Sequence, residues 1–249
     1  MELGHELSGA SLVKLMSFLA WSWLYLWVAV TWKDVSPEWC SRVVTLLHGS
    51  VASVVGLAQC SALNISESKI LPHQYALMVW SWGYFAFDLL WCLVYWTNNA
   101  FMLCHHASAL AAITIYMQKD YTGCTFACTL ALMEVTNPLL QTRWFLKNEG
   151  YGKTLIFYIV EALYLGLFLF LRGMLGTYFM VKIYKSDIFD MDEKMISLVL
   201  YLVSLAFIYD IFGYIIYKYK DDFVIFNYKN FNKTPDISMN LLFILLEVK

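Results

Sequence analysis

The chain has 249 residues, of which 60% are hydrophobic and only 14% charged, and its mean hydropathy is +0.59. Soluble domains carry about 25% charged residues, so this composition is suited to a lipid bilayer rather than to water. A formal charge of −2, without a basic stripe, a Gly-rich phosphate loop or finger spacing, excludes nucleic acid as a partner.

The first residues, MELGHELSGASLVK, place Glu2 and Glu6 where a cleaved signal peptide carries positive charge, so the first apolar run is expected to stay as a helix. Runs of roughly the 20 residues needed to cross a bilayer fall at 11–31, 41–62, 75–96, 100–117, 121–142, 153–178 and 195–218. They predict an all-α, polytopic transmembrane bundle of about seven spans. Aromatics cluster near the run ends, as in WSWLYLW (21–27) and LVYW (93–96), where amphipathic rings anchor at the headgroup level. Short links such as TNN (97–99) make neighbouring helices antiparallel.

The sixth run is less regular. Its apolar pattern continues to about Tyr184, and RGMLG (172–176) is where it would break or tilt; Arg172, near the far end, reads as a snorkelling anchor. Six cysteines lie mostly inside apolar runs, unlike those of a secreted disulfide scaffold. Cys124 and Cys128 share a helix face and read as small packing residues, with metal ligation the alternative. The tail beyond Lys218 is polar and closes on MNLLFILLEVK, too short to span. The organisation is an N-terminal segment and first helix (1–36), a transmembrane domain (37–220) and a tail (221–249).

Basic residues near the helix ends give the orientation. Lys33, Arg42, Arg143, Lys147, Lys153, Lys218, Lys220, Lys229 and Lys233 fall on one side, against Lys14, Lys69, Lys119, Lys182, Lys185 and Lys194 on the other. The first side is expected to be cytosolic. The N-terminus and the sequon NIS at Asn64 are then luminal and the C-terminus cytosolic, with a second sequon, NKT at Asn232, left unmodified.

Ionisable groups inside spans are costly and usually face the bundle interior. Counted inward from the cytosolic ends at about 1.5 Å per residue, His48, Asp88, His105, His106, Glu134, Glu161 and Asp210 all lie roughly 10 to 12 Å deep. They form one layer on six helices. Ser81, Tyr84 and Asp88 recur on one helix face, as do Glu134 and Asn137, with Pro138 freeing a backbone carbonyl nearby. His105 and His106 are about 100° apart around their helix, so only one points straight inward; with Ala109 and Ala112 on its side, His105 is expected to face the cavity. Two readings stand for each group. It is an interhelical hydrogen bond holding the bundle together, or it belongs to a working site.

A neutral imidazole beside a carboxylate is a general base or nucleophile, which suits acyl transfer with the chain between helices and its activated head entering from the cytosol. Iron or zinc bound by histidine and carboxylate is the rival. With one histidine pair, His48, and only His5 and His73 elsewhere, no metal and no tightly bound cofactor is expected.

Arg42 and His48 in RVVTLLHG, Gly83, Tyr84 and Asp88 in GYFAFD, the pair His105 and His106, and Glu134, Asn137, Pro138 and Arg143 in EVTNPLLQTRW together resemble the TLC-domain family (TRAM, Lag and CLN8 homology) over about 40–220. Where ceramide synthases of that family carry Leu-His-Asp-x-Ser-Asp, this chain reads LMEVTNP: Met133 replaces the histidine, Glu134 the first aspartate and Asn137 the second. No homeobox-like insert is present, so the likeness is to the small TLC-domain-containing members. The resemblance implies a bundle of six helices around a lipid cavity, preceded here by one extra helix, in the endoplasmic reticulum rather than the plasma membrane. It implies a role in lipid metabolism or homeostasis, with membrane lipids and a long-chain acyl lipid as partners and a homodimer allowed.

Two functions follow. One is a lipid-binding regulator of membrane composition; the other is an acyltransferase using His105, His106, Glu134 and Asp88, with acyl-CoA as co-substrate. In both, Arg42, His48, Tyr84, Asn137, Glu161 and Asp210 complete the polar layer. A long-chain ligand of about 14 to 16 carbons, with its head at the layer, is expected to fill the remaining hydrocarbon depth.

Overall fold

The computed structural model describes residues 2–60, 69–95 and 100–231, with side chains described over 9–220 of these. The two sequons, the link at 97–99 and the terminal MNLLFILLEVK lie outside the described residues. Among those described, every regular element is helical: α1 (Glu2–Thr31), α2 (Pro37–Gln59), α3 (Pro72–Val94), α4 (Ala100–Tyr116), α5 (Gly123–Glu134), α6 (Asn137–Asn148), α7 (Leu155–Phe168), a π-helical segment (Leu169–Leu175), α8 (Gly176–Lys185) and α9 (Met191–Phe231).

Local chemistry sets the ends. Ser36 caps α2 by accepting the Trp39 amide at 3.1 Å, with Pro37 at the first helical position, where its missing N–H costs nothing. Gln74 reaches back to the Leu71 amide at the start of α3, at 3.0 Å. Thr154 caps α7 through the Phe157 amide, at 3.3 Å. The fifth run is divided: Pro138 has no N–H for the Glu134 carbonyl and its ring crowds that carbonyl, so α5 stops at Glu134 and α6 starts at Asn137.

Among the described residues, six helical stretches are long and apolar enough to cross a bilayer: Gly9–Thr31, Pro37–Gln59, Pro72–Val94, Gly123–Asn148, Leu155–Lys185 and Met191–Lys220. Ala100–Tyr116 is a shorter apolar helix. Large apolar side chains such as Val54, Leu155, Ile156 and Met174 are exposed, as lipid-facing residues are. The chain is a multi-pass membrane protein.

The chain divides into two compact units, Met1–Ile208 and Tyr209–Lys249, and α9 runs through that boundary and past residue 220. The first helix, set apart in the sequence reading, packs on α3 inside the first unit. Ser17 and Trp21 both donate to the Trp80 carbonyl, at 3.3 and 3.0 Å. The core of this unit includes Trp21, Val44, Ala52, Met78, Tyr84, Phe85 and Ala127.

Helices α2 and α5 approach closely because α2 offers glycine at the crossing. A Cβ on Gly56 would meet the Ala127 carbonyl oxygen and the Ala131 Cβ at 3.0 Å each, and one on Gly49 would lie 2.9 Å from the Asn137 Cβ at the start of α6. Small residues at such crossings let backbones approach within the bilayer. A disulfide joins Cys60 at the end of α2 to Cys128 in α5. This corrects the sequence reading of Cys128 as a packing residue; its partner is 68 positions away and invisible to helical spacing.

Candidate functional site

The buried polar groups form a connected set where α2, α3, α4 and α5 meet. His106 Nε2 lies 3.1 Å from Asp88 Oδ2, both side chains being buried. The Tyr84 hydroxyl lies 3.4 Å from the same oxygen and 3.1 Å from Thr45 Oγ1. His48, fully buried on α2, stacks on the Tyr84 ring at 3.7 Å between centroids and on Trp80 at 4.8 Å. Its Nε2 is 3.4 Å from Ser81 Oγ and its Nδ1 3.5 Å from Glu134 Oε2, an electrostatic contact rather than a formed hydrogen bond. Asn137 donates to the same Glu134 oxygen at 2.7 Å. The proline break thus sets Glu134, at the end of one helix, against Asn137 at the start of the next.

Three of the layer's expected members make none of these contacts. Arg42 is partly exposed and bonds Glu38 at 2.9 Å and Gln141 at 3.0 Å, with its guanidinium over Trp144. Glu161 is fully buried on α7 and bonds Arg143 Nε at 2.8 Å. Asp210 belongs to the second unit and is exposed.

Beyond α4 and α5 from this set is a cavity. It is lined by His105, Ala109, Ala112 and Tyr116 of α4; Phe126, Leu130, Met133 and Glu134 of α5; Arg172 of the π segment; Gly176, Phe179 and Ile183 of α8; and Ser197, Leu200, Tyr201 and Ser204 of α9. His105, Glu134, Arg172 and Ser204 lie at one end, Tyr116 and Ser197 at the other, where their hydroxyls are 2.9 Å apart. The walls between are mostly apolar. His105 faces this cavity while His106 turns to Asp88, and their rings are 5.3 Å apart. His105 Nδ1 has no hydrogen-bond partner among the described residues.

Arg172 corrects the sequence reading. It is not a surface anchor: it is 5% exposed, donates to the Met133 carbonyl at 2.7 Å and lies 3.5 Å from Ser204 Oγ. The sequence reading counts the sixth span to 178 while its apolar pattern runs on to about Tyr184; the helix does continue to Lys185, which leaves Arg172 mid-span. The π segment adds a residue to the turn and faces it inward; such bulges often mark functional sites. A charge inside a continuous apolar run was the available signal.

Two groups among the described residues have donor atoms close enough for a metal ion, Asp88 with Cys92 and His106, and Asp190 with Asp192 and Glu193. In the first, Asp88 and His106 already satisfy each other. In the second, Lys119 binds Asp190 at 2.7 Å, a hydrogen bond that holds its ammonium above the usual lysine range.

A mostly apolar cavity with its histidine, carboxylate and guanidinium gathered at one end, inside a bundle of membrane-spanning helices, defines a polytopic membrane protein with an intramembrane site. The family model of the TLC domain (TRAM_LAG1_CLN8) matches residues 38–212, and the chain belongs to that family. No solved structure matches it.

Proposed function

We propose that this protein of lipid metabolism binds one long-chain acyl lipid in the cavity, head group at His105, Glu134 and Arg172 and chain toward Tyr116, and thereby regulates membrane lipid composition. The observation that carries this reading is the cavity's asymmetry: apolar walls along α4, α5 and α8, with the histidine, carboxylate and guanidinium side chains at one end and the Tyr116–Ser197 hydroxyl pair at the other. From His105 to Tyr116 is eleven residues of α4, or about 16 Å, which seats roughly 13 methylenes at about 0.8 kcal/mol each. That is slightly shorter than the depth argument from sequence suggests, because the Tyr116–Ser197 contact closes the far end.

A second reading, acyl transfer, is favoured by His105 on the cavity wall backed by the His106–Asp88 pair. His105 would take the proton of an acceptor hydroxyl or amine as it attacks the acyl carbonyl, then pass it to the leaving thiolate of acyl-CoA. The Cys60–Cys128 disulfide supports the expected orientation, since such bonds persist in oxidising compartments and this one would put the end of α2 on the luminal side. An endoplasmic reticulum location is part of the same reading.

The test is mass spectrometry of the purified protein in mild detergent. One acyl lipid retained per chain supports binding, a new acylated product formed when acyl-CoA and an acceptor are added selects the enzyme, and a protein that shows neither refutes both.

A further inference from the structure

Arg172 stands out from the other buried charges. Arg143 has Glu161 at 2.8 Å and Asp88 has His106 at 3.1 Å, whereas among the described residues no carboxylate comes within 4.0 Å of Arg172. Its guanidinium is held by the Met133 carbonyl and by a long contact to Ser204, with the Phe168 ring 4.9 Å away. Its Nε–H is buried without an acceptor. Arginine stays charged in a protein. A buried cation with a free donor is costly unless an anion completes it.

The second open group on the same wall is His105 Nδ1, buried and without a partner. Carried as N–H, it is a second donor facing the same space. The remaining ionisable wall group, Glu134, interacts electrostatically with Arg172 without forming an ion pair, and has one oxygen engaged by Asn137 and His48. Its negative charge limits what the polar end accepts: a monoanion is tolerated there, while a phosphate monoester would add about two charges beside it.

We propose that Arg172 is the head-group anchor of the cavity and that the ligand is a long-chain carboxylate, held by the guanidinium with His105 as second donor. This rests on the acyl-lipid reading and narrows it to an anionic, single-chain class. A planar carboxylate matches the guanidinium fork, which an ester or an alcohol does not.

The experiment measures binding of palmitate, methyl palmitate, hexadecanol and lysophosphatidate to the full-length protein in detergent, corrected for partition into empty micelles, at a pH where the acid is ionised. Wild type is expected to bind palmitate about tenfold or more tighter than the ester or the alcohol, and tighter than the phosphate. R172M should abolish that preference while keeping affinity for the ester, and R172K should keep part of it. Equal wild-type binding of acid and ester overturns the anchor but leaves the acyl cavity standing, as does preference for the phosphate. Binding of none of the four overturns the cavity reading as well. The wild-type comparison needs no variant, so the proposal stays open to refutation even if R172M does not fold.

Discussion

Where α2, α3 and α5 meet, every buried ionisable side chain has a side-chain neighbour: His48 stacks on Tyr84 and contacts Ser81 and Glu134, Glu134 accepts from Asn137, and Asp88 takes His106. Across α4 and α5 the surroundings differ. Among the described residues His105 and Arg172 each keep a buried nitrogen without a hydrogen bond, as His48 and His106 do at Nδ1, but His105 and Arg172 are the ones that line an apolar cavity. A group satisfied by its neighbours does its work in holding helices together; one left open by the fold is available to a ligand. The layer seen in the sequence is therefore divided by the fold into a packed polar core, the polar end of a pocket, and Glu161 paired with Arg143 apart from both.

The largest effects should come from breaking satisfied contacts. Arg143→Met leaves Glu161 without the guanidinium in a fully buried position, and should cost about 3 to 5 kcal/mol. The melting midpoint in detergent would fall sharply, and Arg143→Met/Glu161→Leu should recover most of it. A single variant as stable as wild type would remove this pair from the stabilising set.

Cys128→Ser should cost about 2 to 4 kcal/mol. Maleimide labelling of the unfolded, unreduced wild type should count the four free cysteines, and reduction should raise the count to six. Six thiols before reduction would refute the cross-link.

The two histidine environments then separate. His48→Ala removes a fully buried, stacked ring and should destabilise by about 2 to 4 kcal/mol, with retained lipid falling only in step with the folded fraction. His105→Ala removes a half-buried ring that makes no hydrogen bond among the described residues. It should shift stability by less than about 1 kcal/mol yet strip most of the lipid. If both variants lose stability and lipid in the same proportion, the distinction between core and floor fails.

Much of this is legible in sequence. Apolar run lengths give the spans, and a common depth gathers His48, Asp88, His106 and Glu134, because helical rise converts position into height. Height says nothing about direction around the helix or about pairing between distant segments. Glu161 has a depth that the sequence reports, but its bond to Arg143 depends on how α6 and α7 fold back across their connection. Arg172 is misplaced when its span is cut short, and its inward aim comes from a π segment that no periodicity of 3.6 anticipates. Cys60 and Cys128 meet only through the α2–α5 crossing that Gly56 permits.

The central claim, that an acyl chain lies along α4 above a polar floor, is tested most directly at Ala112, which is 4% exposed and on the cavity wall. Seven residues from His105, it stands about 10 Å above the floor, so Ala112→Trp should block the upper cavity. Lipids retained by wild type and Ala112→Trp, profiled by mass spectrometry at equal folded protein, should show wild type holding about one long chain and the variant shifted to chains several carbons shorter. An unchanged chain-length distribution in a folded Ala112→Trp protein would contradict the account.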